Sequence, residues 1–584
     1  MKLYVNHIGY LLGKPARTAV SLSKERSSLR CSLEHCGQMH IWKEEARGVR
    51  LPDWGDEFYY MLDLTERISG PGTYLLCVED ENKEKASQMI EIDGLYLPLR
   101  MANAARCYLK GERASGEWLK ADHSLVLKEP PEKETDTEKR LDLHGGWYDA
   151  TGDLGIHQTQ LSHTGKFNPV QSLLPAWVCF KSAEHLRITH CKDSRILTKE
   201  LLDEAYWGAD YAMRLHIPGG GFYRSVDRGT AFGEAGERRI DYEYFHHTGH
   251  EEDGSYLEEE ITPEHYQVGF RSGGGISAAV LAMAAMSGGA SGEYAQEQYK
   301  EAAEGSFHYL LENNGSHVSD GKWNLLDWYE MLAAAVELYR LTGAEEYLEH
   351  CRSAADHLLE SLYRTADGAW FRHGDGEFFY HPSDEGMPLI CLAEYARQET
   401  DSQRREKTEQ ALRECMAHLM GMGRTPFGYA AFLRREGEEP RMFFPHDTEA
   451  SPWWQGENAR IASLAAAALF VGGCFGEKKE WEDFAVDQLS WIMGQNPFDS
   501  CMIEGYGRNN IQYFFEGQYD FMNSPGGICN GITARTDTGN GLEFIKEPGE
   551  ACMDNWRWAE QWLPHACWYL YAEALLAVRE QENV

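Results

Sequence analysis

The sequence is short of cations. Its 584 residues carry 56 Lys and Arg against 93 Asp and Glu, a formal net charge of −37. Such an excess repels nucleic-acid phosphates and excludes that class of partner. It also disfavours an anionic polysaccharide and suits a neutral or cationic substrate. The 14 cysteines are scattered and form no Cys-x-x-Cys pair, which argues against a cysteine zinc site and for buried thiols in a reducing compartment. No membrane-spanning segment is expected, because the longest apolar run, Ile461–Cys474, is Ala-rich and reads as a packed helix. The opening Met1–Tyr10 has neither the apolar core nor the small-residue cleavage site of a signal peptide. A cytoplasmic protein is expected on that basis. Gly273-Gly274-Gly275 is not followed by Lys-Ser/Thr, so no phosphate-binding loop is present there.

What is present describes a folded, multidomain chain. Hydrophobic content of 42% and aromatic content of 12% exclude general disorder, and the length calls for at least two domains. Residues 1–95 read as a small β-sandwich. Thr18–Ser23, Gly37–Trp42, Glu57–Leu64, Gly72–Glu79 and Met89–Ile92 are short, β-prone segments separated by turn residues. Residues 96–584 change to a helical period. Candidate helices are Leu99–Leu109, Pro169–His185, Ser194–Leu215, Gly275–Ala285, Glu293–Glu312, Trp323–Leu341, Ala344–Tyr363 and Glu385–Gln398, then Ser402–Met420, Gln455–Phe470, Lys478–Met493 and Trp558–Val578. Gly111–Arg140, Leu143–Phe167 and Gly219–Thr262 read as long loops.

The densest chemistry lies in His144–Asp153, where Asp149 and Asp153 sit among glycines beside Trp147 and Tyr148. Glycine permits tight turns and close approach to a ligand. Trp and Tyr offer flat faces for a sugar ring. Paired carboxylates can orient and deprotonate a water, and each raises the other's pKa. A hydrolytic carbohydrate site needs one more group, a distant carboxylic acid.

Gly-Gly-Trp-Tyr-Asp-Ala-x-Gly-Asp is similar to the signature of family nine glycoside hydrolases, here with one extra residue, Thr151. That departure resembles a divergent branch that includes exo-acting β-glucosaminidases. The resemblance implies an (α/α)6 toroid of six helical hairpins, and Tyr4–Tyr10 resembles the start of the immunoglobulin-like domain that precedes many of its catalytic domains. It also implies inversion at the anomeric carbon, with Asp153 the better candidate base and Asp149 helping to hold the water. The acid falls at Glu560, although Ala559 stands where the family places Asn. Trp556, Trp558 and Trp562 can keep that carboxyl poorly solvated. Trp491–Ser500 resembles the family's Gly-x-Asn-Pro segment. The His-His-Arg expected after it is absent, which leaves Arg508 as a hydroxyl contact.

Weaker candidates complete the site. His446–Asn458 offers Trp453 and Trp454 as a stacking wall, with Glu457 or Glu449 to pair with a substrate ammonium. His246–His250 with Glu251, Glu252 and Asp253 matches no metal-ligand spacing, and Asp327–Glu330 reads as core with some groove character. No cofactor is demanded, a structural calcium is compatible, and the residues fix no oligomeric state. The expected function is that of an inverting, exo-acting β-glycosidase releasing glucosamine or glucose from short β-1,4-linked oligosaccharides. An endo-β-1,4-glucanase is the alternative, weakened by the missing leader. A non-catalytic carbohydrate-binding protein is the reading from another class.

Overall fold

The computed structural model describes residues 1–584 except 46, 52, 95, 128–138, 156, 158–172, 189–191, 228–237, 241–262, 288–291, 319–320, 367, 374–375, 423–424, 447, 449–450, 452–453, 477–478, 520, 551 and 580–584. The chain opens with eight strands: β1 (Lys2–Tyr4), β2 (Tyr10–Leu11), β3 (Arg17–Leu22), β4 (Ser28–His35), β5 (Gln38–Glu45), β6 (Phe58–Asp63), β7 (Gly72–Glu79) and β8 (Lys85–Asp93). They form two sheets, ordered β1-β3-β6 and β2-β8-β7-β4-β5. Alternate residues Tyr74, Leu76 and Val78 of β7 point into a shared core with Val20, Leu62 and Ile90, as the two-residue period of a strand requires. β4 was not anticipated, because Ser28–His35 interleaves its apolar positions with charged ones and lacks a run of β-branched residues.

Twelve long helices follow among the described residues: α1 (Leu97–Gly111), α2 (Leu174–Leu186), α3 (Lys192–Leu215), α4 (Gly275–Met286), α5 (Gln296–Asn313), α6 (Leu325–Thr342), α7 (Glu345–Glu360), α8 (Met387–Gln398), α9 (Ser402–Gly421), α10 (Asn458–Phe475), α11 (Lys479–Ile492) and α12 (Leu563–Arg579). Neighbours in sequence pack as pairs, α2 with α3 through α10 with α11, and α12 returns to α1. The even-numbered helices also touch in a closed order, α12-α2-α4-α6-α8-α10-α12. Composition explains which helices lie inside. α4 and α10 are apolar all round and buried along most of their length, whereas α5 and α9 bury only one face. By length and composition α10 could cross a bilayer, yet 83% of it is buried in this ring.

Two regions differ from the sequence expectation. Gly111–Arg140 is not all exposed loop: it holds the short helix Gly116–Ala121, and its Glu112 and Asp122 are buried. The last helix does not begin at Trp558. A single turn, Trp556–Ala559, is followed by extended chain from Glu560, and α12 starts only at Leu563. The β-rich and helical regions meet through His7, whose Nε2 lies 2.8 Å from Asp499 Oδ1 and whose N–H donates to the Met493 carbonyl. Trp54 adds aromatic contacts to Phe427, Phe443 and Trp491.

Candidate active site

The His144–Asp153 segment is fixed on two sides. The Tyr148 N–H donates to the Glu112 carbonyl just after α1. On the other side Ala150 and Trp562 form an antiparallel bridge, with Thr151 N–H donating to the Gln561 carbonyl and Leu563 N–H to the Asp149 carbonyl. Because α1 and α12 pack together, the two ends of the helical region deliver these carboxylates to one place. A turn at Gly152, with φ +93°, then swings Asp153 out of the bridge, and its N–H closes onto the Ala150 carbonyl.

Asp149 is 5% exposed and receives the Trp562 indole N–H on Oδ1 at 3.3 Å. Burial holds its carboxyl well above the ordinary carboxylate range, and the charges of Asp153 and Glu560 add to the shift. Glu560 is pushed up to about 8, first by burial and then by Asp153, against the opposing hydrogen bond from Asn530. The structure thus brings together the three carboxylates singled out in the sequence. Glu560 reaches the site from extended chain, and not from within a helix beginning at Trp558 as the sequence suggested.

Four partners were not legible in the sequence. Glu112 is buried and accepts from the Thr151 and Ser524 hydroxyls at 3.0 and 3.3 Å. Burial raises its carboxyl too, with Asp153 contributing. Thr151, the extra residue of the motif, is therefore anchored to a fourth carboxylate. Asn530 donates to Glu560 Oε2 at 3.3 Å and to the Trp556 carbonyl at 2.8 Å. Its own Oδ1 lies 2.7 Å from His565 Nε2. Burial pushes His565 down to about 3, so the imidazole is neutral, and donation from Nε2 turns the Asn530 amide NH₂ toward Glu560. Ala559, which directly precedes Glu560, has no side-chain amide; the amide that meets Glu560 is that of Asn530. Tyr513 completes the group; burial raises its phenol, and the Glu560 and Asp153 charges raise it further.

Most expected sugar contacts are instead structural. Trp147 is 1% exposed and its indole donates to Glu204 at 2.8 Å. Gly146 lets this loop press onto Tyr211, where a Cβ would lie 2.6 Å from the ring, and that close approach buries the neighbouring Trp. Tyr148 is buried with its hydroxyl accepting from Ser115 N–H. Trp558 is buried and donates to Thr533 at 2.8 Å. Glu457 is buried, paired with Arg460 at 2.8 Å and capped by the Phe444 N–H, so it cannot meet a substrate ammonium. Arg508 is held by Asp499 at 2.7 Å, beside His7, and belongs to the contact with the β-rich region. Trp454 stacks on His446 at 3.7 Å and carries the Arg557 guanidinium 4.2 Å from its ring centroid. Trp556 is partly exposed and lies under the same guanidinium. Asp327 is buried, receiving Asn324 N–H at the start of α6, and does not line a groove. Trp453, Glu449 and the His246–Asp253 segment lie outside the described residues. Among the described residues one group could hold a metal: His123, Asp142 and His144, with ligand atoms within 4.8 Å of one another. Two imidazoles and a carboxylate suit zinc better than calcium, whose ligands are oxygens.

The sequence pattern described as "Glycosyl hydrolase family 9" matches residues 100–524. The chain belongs to glycosyl hydrolase family 9. Solved structures similar to it include a Bacteroides ovatus GH9 protein (15% identity, TM-score 0.64) and a metagenome-derived family 9 endoglucanase (17%, 0.61). A third is a single mutant of a thermostable endoglucanase from Alicyclobacillus acidocaldarius (16%, 0.61). In each case 99% of this chain and 99% of the other are covered. At these identities the likeness establishes the fold, a β-rich N-terminal region on a family 9 helical domain. No curated protein matches the chain. As a family 9 member the protein is a glycoside hydrolase.

Proposed function

We propose that this glycoside hydrolase cleaves β-1,4-linked, gluco-configured chains with inversion. Asp153 deprotonates the attacking water, Asp149 helps to hold it, and Glu560 protonates the leaving oxygen. The observation that carries this reading is the bridge between Ala150 and Trp562, which brings the Asp149–Asp153 segment beside Glu560, whose carboxyl is pushed up to about 8 by burial and the Asp153 charge. A carboxyl that keeps its proton near neutral pH beside a second carboxylate is what an acid and base pair requires, which supports this reading. The closed order of the even-numbered helices supports the (α/α)6 toroid as the scaffold. Internal cleavage of β-glucan is favoured over end trimming, because two similar solved structures are endoglucanases and another, AaCel9A, is in complex with a cellobiose-like isofagomine.

One observation supports an exo-acting glucosaminidase as a second reading. Asp149, Glu560 and Glu112 are paired with no Lys or Arg among the described residues, and a cluster of carboxylates favours a bound ammonium. Product analysis on cello-oligosaccharides and glucosamine oligosaccharides of matched length separates the two. Mixed short cello-oligosaccharides are the expected products. Stepwise release of glucosamine alone transfers the assignment to the second reading.

A further inference from the structure

Glu112 caps the end of α1 and is buried beside the catalytic carboxylates, 6% exposed. Its backbone and its side chain grip the motif segment on either side of Asp149. The Glu112 carbonyl accepts from Tyr148 N–H at 2.9 Å, one residue before Asp149. Its Oε1 accepts from the Thr151 hydroxyl at 3.0 Å, two residues after Asp149 and two before Asp153. The neighbouring Arg113 turns away from this group and pairs with Glu204 at 3.0 Å.

The same Oε1 also accepts from the Ser524 hydroxyl at 3.3 Å. Ser524 is locked in turn to Gln561, the residue after Glu560. Ser524 N–H donates to Gln561 Oε1 at 2.7 Å, and Gln561 Nε2 donates back to the Ser524 carbonyl at 3.1 Å. Gln561 is 1% exposed, and its own carbonyl receives the Thr151 N–H at 3.3 Å and the Tyr108 hydroxyl. Glu112, Thr151, Gln561 and Ser524 thus form a closed ring of hydrogen bonds. Two members stand next to the reacting groups: Thr151 precedes the Gly152 turn into Asp153, and Gln561 follows Glu560. Burial raises the Glu112 carboxyl, and a proton on Oε2 leaves Oε1 an acceptor, so the ring survives titration.

We propose that Glu112 is a positioning residue, which fixes the Asp153 turn through Thr151 and holds it at a set distance from Glu560 through Ser524 and Gln561. The proposal rests on the reading of Asp153 as base and Glu560 as acid. Inversion needs room for one water between the base and the sugar, so the separation of the two carboxyls matters to the reaction. Gly152, at φ +93°, gives the turn its conformation but no restraint. The restraint is applied one residue earlier, at the extra residue of the motif. Because Glu112 acts through Thr151 and Ser524, its loss should slow turnover and leave substrate binding in place.

The test compares Glu112→Ala, Glu112→Gln and Thr151→Val with the parent, on whichever of cellotetraose and the glucosamine tetramer the parent cleaves. Glu112→Ala is expected to lower kcat about 10²-fold, the cost of a misplaced catalytic group, with KM within about twofold. Thr151→Val removes one hydroxyl at nearly constant shape and is expected to lower kcat about tenfold. Glu112→Gln keeps an acceptor at the Oε1 position and should restore most of the lost kcat. Thermal unfolding of all four proteins is followed alongside, since a merely structural contact would lower Tm and leave kcat in place. A kcat within about twofold of the parent in both Glu112→Ala and Thr151→Val overturns the proposal, as does a Glu112→Gln variant no better than Glu112→Ala. If Glu112→Ala fails to fold, Thr151→Val decides. A parent that cleaves neither tetramer overturns the proposed substrate, and this inference with it.

Discussion

Glu560→Gln is expected to lower kcat on β-1,4-oligosaccharides by about 10²–10⁴-fold, the usual contribution of a positioned general acid. The substitution keeps the side chain's shape and its contact with Asn530, whose Nδ2 lies 3.3 Å from Oε2 in the parent, so folding is retained. The loss follows from the leaving oxygen. An alkoxide departs only with a proton, and the Glu560 carboxyl, pushed up to about 8 by burial and the Asp153 charge, can hold one near neutral pH. An activated leaving group such as dinitrophenolate needs no such proton. The same variant should therefore hydrolyse a dinitrophenyl β-glycoside at close to the parental rate. Asp153→Asn removes the base instead, and its activity should fall on both substrates. Equal losses for Glu560→Gln on natural and activated substrates would remove Glu560 from the acid role.

The second large effect is on stability and its dependence on pH. Asp149, Glu112 and Glu560 all carry raised pKa values in the folded chain, each chiefly because burial disfavours the charged form. A carboxyl raised in the folded state binds its proton more tightly there than when unfolded. Its contribution is fully present below the unfolded value of 4.5 and is lost as pH rises through the folded value, about 8 for Glu560. The catalytic group therefore strains the fold at neutral pH. Glu560→Gln should stabilise the protein by about 1–3 kcal/mol at pH 8, after discounting for the site's partial exposure, and by nothing measurable below about pH 4. Denaturant unfolding of parent and variant at both pH values checks this. The same titration limits catalysis, so kcat/KM should fall above about pH 8 in the parent. A variant no more stable than the parent at pH 8 would show that Glu560 titrates as an ordinary carboxylate.

Most of the twelve helices were legible because they carry a 3.6-residue apolar period over ten or more residues, whereas α4 and α10, apolar all round, were legible as long Ala-rich apolar runs. The carboxylates were legible as chemistry, two within one glycine-rich segment and one at a position implied by the family resemblance. What surrounds them was not. Glu112, Asn530 and Phe521 reach the site by chain crossings that no local pattern records; Asn530 is oriented by His565, which lies 35 residues further on. The aromatic residues misled for a related reason. Trp147 and Trp558 stand two positions before Asp149 and Glu560 in sequence, but each is buried with its indole N–H taken by the core, by Glu204 and Thr533. Two exposed aromatics near the carboxylates, Phe515 and Tyr519, lie instead where the sequence has neither a helical nor a strand period to mark them.

The central claim is that Asp153 and Glu560 act from opposite sides of a β-glycosidic bond. The most direct test follows the anomeric proton by NMR during the first minutes of cellotetraose cleavage, before mutarotation mixes the products. The account predicts that the α-anomer appears first at the new reducing end, with the β-anomer growing in later. Initial appearance of the β-anomer would mean a covalent intermediate, and the assignment of Asp153 as a base acting on water would be wrong.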